Sequence, residues 1–251
     1  MKNNVRPLEK EETFRFKQFA VRQSDQVMKI GTDAVLLGAW AHHQDPKHIL
    51  DIGTGSGVIA LMMAQRYPGA QVTGIDLDPA SVDLARQNFK NSPFNDQLYA
   101  VLSPLQAFKG EGRFYDLIVS NPPFFTGGAI TEHGGRAVMR HTTKLSHNEL
   151  LRAVRSLLSP KGVFAVILPL LEGLRLIELA GLYHLHADQQ VQVRSLADKK
   201  VERLLIRFRL EPAKLDQKEL IIQNSTANHD YTPDYVNLTH AFYLNMPDQV
   251  D

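Results

Sequence analysis

From Lys47 onward the chain alternates between two kinds of segment. Lys47 to Leu50, Gln71 to Asp76, Leu98 to Leu102, Phe114 to Ser120 and Val163 to Leu168 are short β-branched or aromatic runs. Between most of them lie helical patterns, at Val58 to Arg66, Ala80 to Asn91 and Leu150 to Leu158. Val82, Ala85 and Phe89 fall on one face of the second helix, so that helix has an apolar stripe to bury. Strands alternating with such helices make a doubly wound sheet. Local signals punctuate the pattern. Asp78 precedes Pro79 and reads as an N-cap, Ser146-His147-Asn148-Glu149 reads as a capping box, and Ser159-Pro160-Lys161-Gly162 reads as a turn. A helix over Leu174 to Gly181 follows. The closing strand pair, Leu185 to Arg194 and Val201 to Leu210, is joined by the charged turn Leu196-Ala197-Asp198-Lys199-Lys200.

Open α/β sheets bind ligands at the carboxyl ends of their strands, which directs attention to three strand ends. The first runs into Asp51-Ile52-Gly53-Thr54-Gly55-Ser56-Gly57, where glycines let a ligand approach the backbone closely. A dinucleotide fingerprint would want its third glycine at position 58, which is Val58; a bulky nucleoside or a plain strand-to-helix connection fits better. The second strand ends in Asp76, about twenty residues past the glycines, where such folds place an acid to accept ribose hydroxyls. The third ends in Asn121-Pro122-Pro123-Phe124. Two prolines stop a ladder and stiffen the backbone, so that the Asn121 side-chain carbonyl and the Pro122 main-chain carbonyl become two fixed acceptors. An exocyclic NH2 offers two donors. Accepting both draws its lone pair away from ring conjugation, and Phe124 offers a stacking face. An Asn-Pro-Pro alone also serves as a simple strand terminator.

The remaining chemistry is sparser. The stretch between Phe124 and Ser146 has no periodicity and carries Gly127-Gly128, Gly134-Gly135, Arg136, Arg140, His141 and Lys144. A structureless loop beyond about 12–15 residues is uncommon unless functional or disordered, so this one reads as a substrate lid whose arginines meet phosphate, or as plain solvated chain. His133, His141 and His147 lack ligand spacing, and no metal is expected. Gly55-Ser56-Gly57 is not a nucleophile elbow. With no cysteine there are no disulfides or thiolate metal sites, which suits a reducing cytoplasm. Val163 to Leu171 is too short to span a membrane. A net charge of +1 leaves nucleic-acid binding to local clusters, the candidates being Arg136, Arg140, Lys199, Lys200 and Arg203, with Arg6, Arg15 and Lys17 near the start.

In order and spacing, the Asp51-x-Gly53-x-Gly55-x-Gly57 loop, Asp76 and Asn121-Pro122-Pro123-Phe124 together resemble the class I S-adenosylmethionine-dependent methyltransferases that act on planar amino nitrogens. Two further blocks narrow the likeness: Lys29-x-Gly31-Thr32-Asp33 with Leu36-Leu37-Gly38-Ala39-Trp40, and Tyr231 to Leu244. The whole is similar to the tRNA1(Val) (adenine(37)-N6)-methyltransferase family. The resemblance implies a Rossmann-like, doubly wound, seven-stranded, mostly parallel sheet with an antiparallel last strand. It also implies one methyltransferase domain over 1–251, with an N-terminal extension to 40, a core over 41–211 and a C-terminal extension from 212.

The same resemblance implies S-adenosyl-L-methionine as cofactor, tRNA as partner, and no obligate protein partner. Asp51, Gly53, Thr54, Gly55, Gly57, Asp76 and Leu77 would hold the cofactor's amino-acid and ribose parts. Lys29, Thr32 and Asp33 would flank its methionine end, although Thr32-Asp33 also reads as a helix cap. Asn121, Pro122, Pro123 and Phe124 would hold the target nitrogen, with Asn121 also near the cofactor. Many relatives carry an acid after the third strand that bonds the cofactor adenine. This chain has Val101-Leu102-Ser103-Pro104-Leu105, so Ser103 or a backbone carbonyl is left for that task. Glutamine in a protein, adenine in DNA and a non-catalytic cofactor-binding role are the alternatives.

Overall fold

The computed structural model describes residues 12–122 and 145–247. Pro123, Phe124, Arg136, Arg140 and the expected lid therefore lie outside the described residues. The chain opens with a hairpin of β1 (Glu12–Arg15) and β2 (Ala20–Gln23), then α1 (Thr32–Trp40). The alternating region follows as β3 (His48–Ile52), α2 (Val58–Arg66), β4 (Gln71–Asp76), α3 (Pro79–Lys90), β5 (Leu98–Leu102), β6 (Tyr115–Ser120), α4 (His147–Leu157), β7 (Leu158–Pro169), α5 (Leu170–Ala180), β8 (His186–Arg194) and β9 (Arg203–Arg209). Last come β10 (Asp216–Ile221) and α6 (Pro233–Thr239).

The main sheet has the order β10-β8-β9-β7-β6-β3-β4-β5. Only β9 runs against the rest, pairing antiparallel with both β7 and β8. The seven expected strands are all present, and β10 adds an eighth by pairing parallel to β8. Side chains alternate across the sheet as a strand period of two requires. Val163, Ala165 and Ile167 of β7 enter one apolar layer under α1, α2 and α3, while Phe164, Val166 and Leu168 enter the other under α4 and α5. Phe164 stacks on Phe208 at 5.8 Å, and both rings are fully buried. Removing either ring costs about 3–5 kcal/mol by the usual behaviour of large core side chains.

The local signals at Asp78 and Ser146 appear as expected. The Asp78 carboxylate accepts from the Ser81 amide at 3.2 Å, and Ser146 forms a reciprocal capping box with Glu149. Other boundaries shift. Ser159 to Gly162 continue β7 instead of turning, because Ser159 donates to Asp116 at 3.0 Å and a Cβ on Gly162 would lie 2.8 Å from the Tyr115 carbonyl. The strand therefore starts early, and a register shift between Tyr115 and Leu117 absorbs the change. Helix α5 starts at Leu170, directly after Pro169.

Both ends of the described chain pack on one face of this sheet. Phe16 bridges to Tyr243, and the Lys17 amide donates to the Phe242 carbonyl at 2.8 Å. Phe16, Phe19, Tyr235 and Phe242 share the apolar layer of α1 and α2. Among the described residues no helix is long and apolar enough to cross a membrane, and no group of three or more His, Asp or Glu is placed to hold a metal ion.

Candidate active site

The carboxyl end of the sheet opens into a cavity of about 1180 Å³. Its lining brings together Gly53 to Ser56, the first turn of α1 with Thr32 and Asp33, Asn121 with Pro122, and aromatic side chains from both chain ends. Segments more than 200 positions apart in sequence, from Phe14 to Met246, thus meet where the central strands stop.

The glycine loop is held by backbone bonds. Gly53 and Thr54 donate to the Ile75 carbonyl at 2.9 and 3.0 Å, and Gly57 donates to the Thr54 carbonyl at 2.8 Å. Gly53, Gly55 and Gly57 have φ of +74°, +54° and +83°, a region that side-chain-bearing residues seldom adopt. A Cβ on Gly53 would point into open space, so this backbone is bare toward the cavity. At Gly57 a Cβ would come within 2.4 Å of Phe89, so this glycine seats the loop on α3 and does not line the cavity.

Asp51 and Asp76 stand behind the loop. The Asp76 carboxylate accepts from the Gly55 amide and the Asp78 amide, each at 3.0 Å, which fixes the loop's shape. Burial raises its pKa above the ordinary carboxylate value against the pull of those amides. Asp51 is fully buried. Its Oδ2 accepts from the Thr54 hydroxyl at 2.8 Å, and the Ala60 amide in the first turn of α2 also favours the carboxylate, although Oδ1 has no partner of full hydrogen-bond geometry among the described residues. Burial pushes its carboxyl up to about 7. A buried acceptor left open costs free energy, and a ligand's donor, directly or through water, would relieve that cost.

Asn121 and Pro122 leave the end of β6 with Asn121 half-buried and Pro122 buried. Ser120 anchors them by donating its hydroxyl to the Ile52 carbonyl at 2.9 Å, which ties β6 to the strand that feeds the glycine loop. The expected amine acceptors and the glycine loop are therefore tied together at neighbouring strand ends.

The remaining expected residues divide into two sets. Thr32 and Asp33 line the cavity but cap nothing, since Gly31 is the N-cap of α1 and no side chain bonds there. Asp33 instead accepts from Arg203 Nε at 2.7 Å, so the acid assigned to the cofactor and the cation assigned to RNA form one half-exposed pair in the cavity wall. Lys29 lies at the rim with its ammonium 2.7 Å from Glu12. Leu77 and Ser103 sit outside this cavity, Leu77 exposed and Ser103 half-buried beside the end of β4, to which the Ser103 amide donates through the Asp76 carbonyl at 2.9 Å. Lys199 and Lys200 are exposed on the β8–β9 turn, on the same edge of the sheet as the cavity.

One brace had no sequence signal. Asn88, 1% exposed on α3, donates to the Ser56 carbonyl at 2.8 Å and to the Arg22 carbonyl at 3.1 Å, and accepts from the Arg22 amide at 2.9 Å. It locks the glycine loop to the N-terminal hairpin.

Comparison with known proteins gives a consistent picture. The pattern of the Methyltransferase small domain family matches residues 18–167. The chain is 42% identical over 245 residues to a tRNA1(Val) (adenine(37)-N6)-methyltransferase of Porphyromonas gingivalis, covering 92% of this chain and 94% of that one. It is 40% identical over 233 residues to the protein of that name from Vibrio parahaemolyticus, covering 93% and 96%. In fold it is similar to a predicted O-methyltransferase from Agrobacterium tumefaciens, with a TM-score of 0.66 at 18% identity over 84% of this chain and 96% of that one.

Proposed function

The chain belongs to the tRNA1(Val) (adenine(37)-N6)-methyltransferase family, and from that premise we propose that it methylates N6 of adenine 37 in a valine tRNA at the ledge formed by Asn121 and Pro122. The observation that carries this reading is the single cavity shared by those two residues, the bare glycine loop and the head of α1. S-adenosyl-L-methionine suits these residues. Gly53 to Gly55 line the cavity and offer backbone for close approach, while Asp51 and Asp76, just behind that lining, hold the loop in shape through Thr54 and Gly55. When bound, this cofactor supplies an already activated methyl group on a sulfonium.

The chain's own residues then have to position and polarise. The Asn121 amide oxygen and the Pro122 carbonyl accept the two N–H bonds of the adenine amino group, which keeps its lone pair out of ring conjugation. No strong base is needed, and the released proton passes to water. Phe124, assigned from sequence alone, supplies the stacking face. Lys199, Lys200, Arg203, Arg136 and Arg140 are the proposed phosphate contacts. The terminal segments act with the core as one methyltransferase domain, a reading supported by Phe16, Phe19, Tyr235 and Phe242, which share an apolar cluster with α2. The work is placed in the cytoplasm, which the absence of cysteine suits.

Asn121→Ala tests the ledge. Turnover should fall by at least a hundredfold while cofactor affinity stays within about threefold, the usual scale for losing an oriented polar contact in a transition state. A near-normal rate would mean that the amine is held elsewhere.

A further inference from the structure

The cavity is larger than one ligand needs. At about 1180 Å³ it exceeds the roughly 300–1,000 Å³ typical of small-molecule sites. The part of its lining that the cofactor loop and the Asn121 ledge do not account for includes a group of aromatic rings from the two chain ends, Phe14, His229, Tyr231, Tyr235 and Tyr243. Phe14 of β1 and Tyr243 approach edge-on at 6.4 Å, and Tyr231 rests on the buried Tyr235 at 5.0 Å.

The outermost ring is His229. It is exposed, lines the cavity and meets Tyr231 edge-to-face at 6.0 Å. Its φ is +63°, a left-handed conformation that is uncommon for a side-chain-bearing residue and recurs where function requires it. The turn around it is well braced. The Asn224 amide donates to the Asp230 carbonyl at 2.9 Å, Asn224 Nδ2 donates to the Asp230 carboxylate at 3.0 Å, and the Ser225 hydroxyl donates to the same carboxylate. The Thr232 hydroxyl beyond it ties the turn to Ile221 at the end of β10. An exposed imidazole is thus presented by a braced turn beside a half-buried phenol.

Resting on the tRNA reading above, we propose that His229 and Tyr231 form a second base site, which stacks an unpaired nucleobase next to the methylated one. Taking an adenine out of its stack to reach Asn121 leaves its neighbours without a partner face. Aromatic platforms take up such bases with little regard to sequence. The rings have polar tips, as a wet RNA site needs. Arg15, Lys29 and Arg203 line the cavity together with Asp33 and Glu202, and Arg203 is paired with Asp33, so the lining carries a small excess of positive charge for a phosphate.

The test uses the full-length enzyme and an anticodon stem-loop carrying 2-aminopurine immediately 5′ or 3′ of the target. Fluorescence quenching on binding reports stacking at one of the two positions. His229→Gly removes the ring and relieves the positive φ, so its fold is secure. Tyr231→Leu removes the second ring, and Tyr231→Phe keeps it. The proposal expects lost quenching and a roughly five- to hundredfold rise in KM for RNA in His229→Gly and Tyr231→Leu, with cofactor affinity unchanged and Tyr231→Phe near wild type. Quenching and KM within twofold of wild type in both ring-deleted variants would overturn it. So would a loss of cofactor affinity with unchanged RNA binding, because the wall would then serve the cofactor. Failure of the wild-type enzyme to bind or methylate the stem-loop would sink the tRNA reading itself, an outcome distinct from intact binding in the variants.

Discussion

Replacing Asp51 with asparagine should make the ligand-free enzyme's stability less sensitive to pH, by an amount that follows from the burial of this acid. Its carboxyl titrates at about 7 in the folded chain against an ordinary value of 3.8. The folded state therefore holds a proton that the unfolded state gives up. This contribution is fully favourable below pH 3.8 and is lost as pH rises toward and through 7. Relative to a neutral residue, the cost is about 1.6 kcal/mol at pH 5 and about 4 kcal/mol at pH 8, from 1.36 kcal/mol per unit. Asparagine keeps an oxygen for the Thr54 hydroxyl and removes the titration, while any cost of its amide hydrogens is the same at both pH values. The stability difference between variant and wild type should then widen by about 2.5 kcal/mol from pH 5 to pH 8. With an unfolding entropy of about 2.1 cal/mol/K per residue over this length, that corresponds to about 5 °C in Tm. Thermal melts of both proteins at the two pH values measure it. Curves that run parallel within about 1 °C would show that Asp51 is already ionised at low pH and that the account of the open Oδ1 is wrong.

Two further outcomes probe the supports of the site. Asn88→Ala removes one buried and two part-buried hydrogen bonds that tie the glycine loop and the N-terminal hairpin to α3, so a loss of about 2–4 kcal/mol with weaker cofactor binding is expected in melts and titration calorimetry; unchanged affinity would separate the hairpin from the cofactor site. Arg203→Gln should reduce the slope of log affinity against log salt for tRNA by about one while Asp33 stays in place, and a slope equal to wild type would mean that Arg203 serves only to hold Asp33.

Features encoded by local stereochemistry were legible in the sequence. Glycine positions announced the positive φ values at Gly53, Gly55 and Gly57, and Asp78 and Ser146 announced their caps. Asn121-Pro122 marked a strand end because proline cannot extend a ladder. What escaped was set by packing between distant segments. The Asp33–Arg203 pair joins positions 170 residues apart, and nothing in either neighbourhood points to the other. Asn88 looks like any polar residue on a helix until its burial is known. The eighth strand escaped because Asp216-Gln217-Lys218-Glu219 is exposed on both faces at the sheet edge and lacks the alternation that marks a half-buried strand.

The substrate assignment meets its most direct test in one labelling experiment. Cofactor carrying a radiolabelled methyl group is offered with unmodified valine tRNA, with release factor and with duplex DNA, and each product is digested and resolved. Label is expected in N6-methyladenosine from position 37 of the tRNA, and is lost when that adenine is replaced by guanine. Label in protein or in DNA, with none in tRNA, would contradict it.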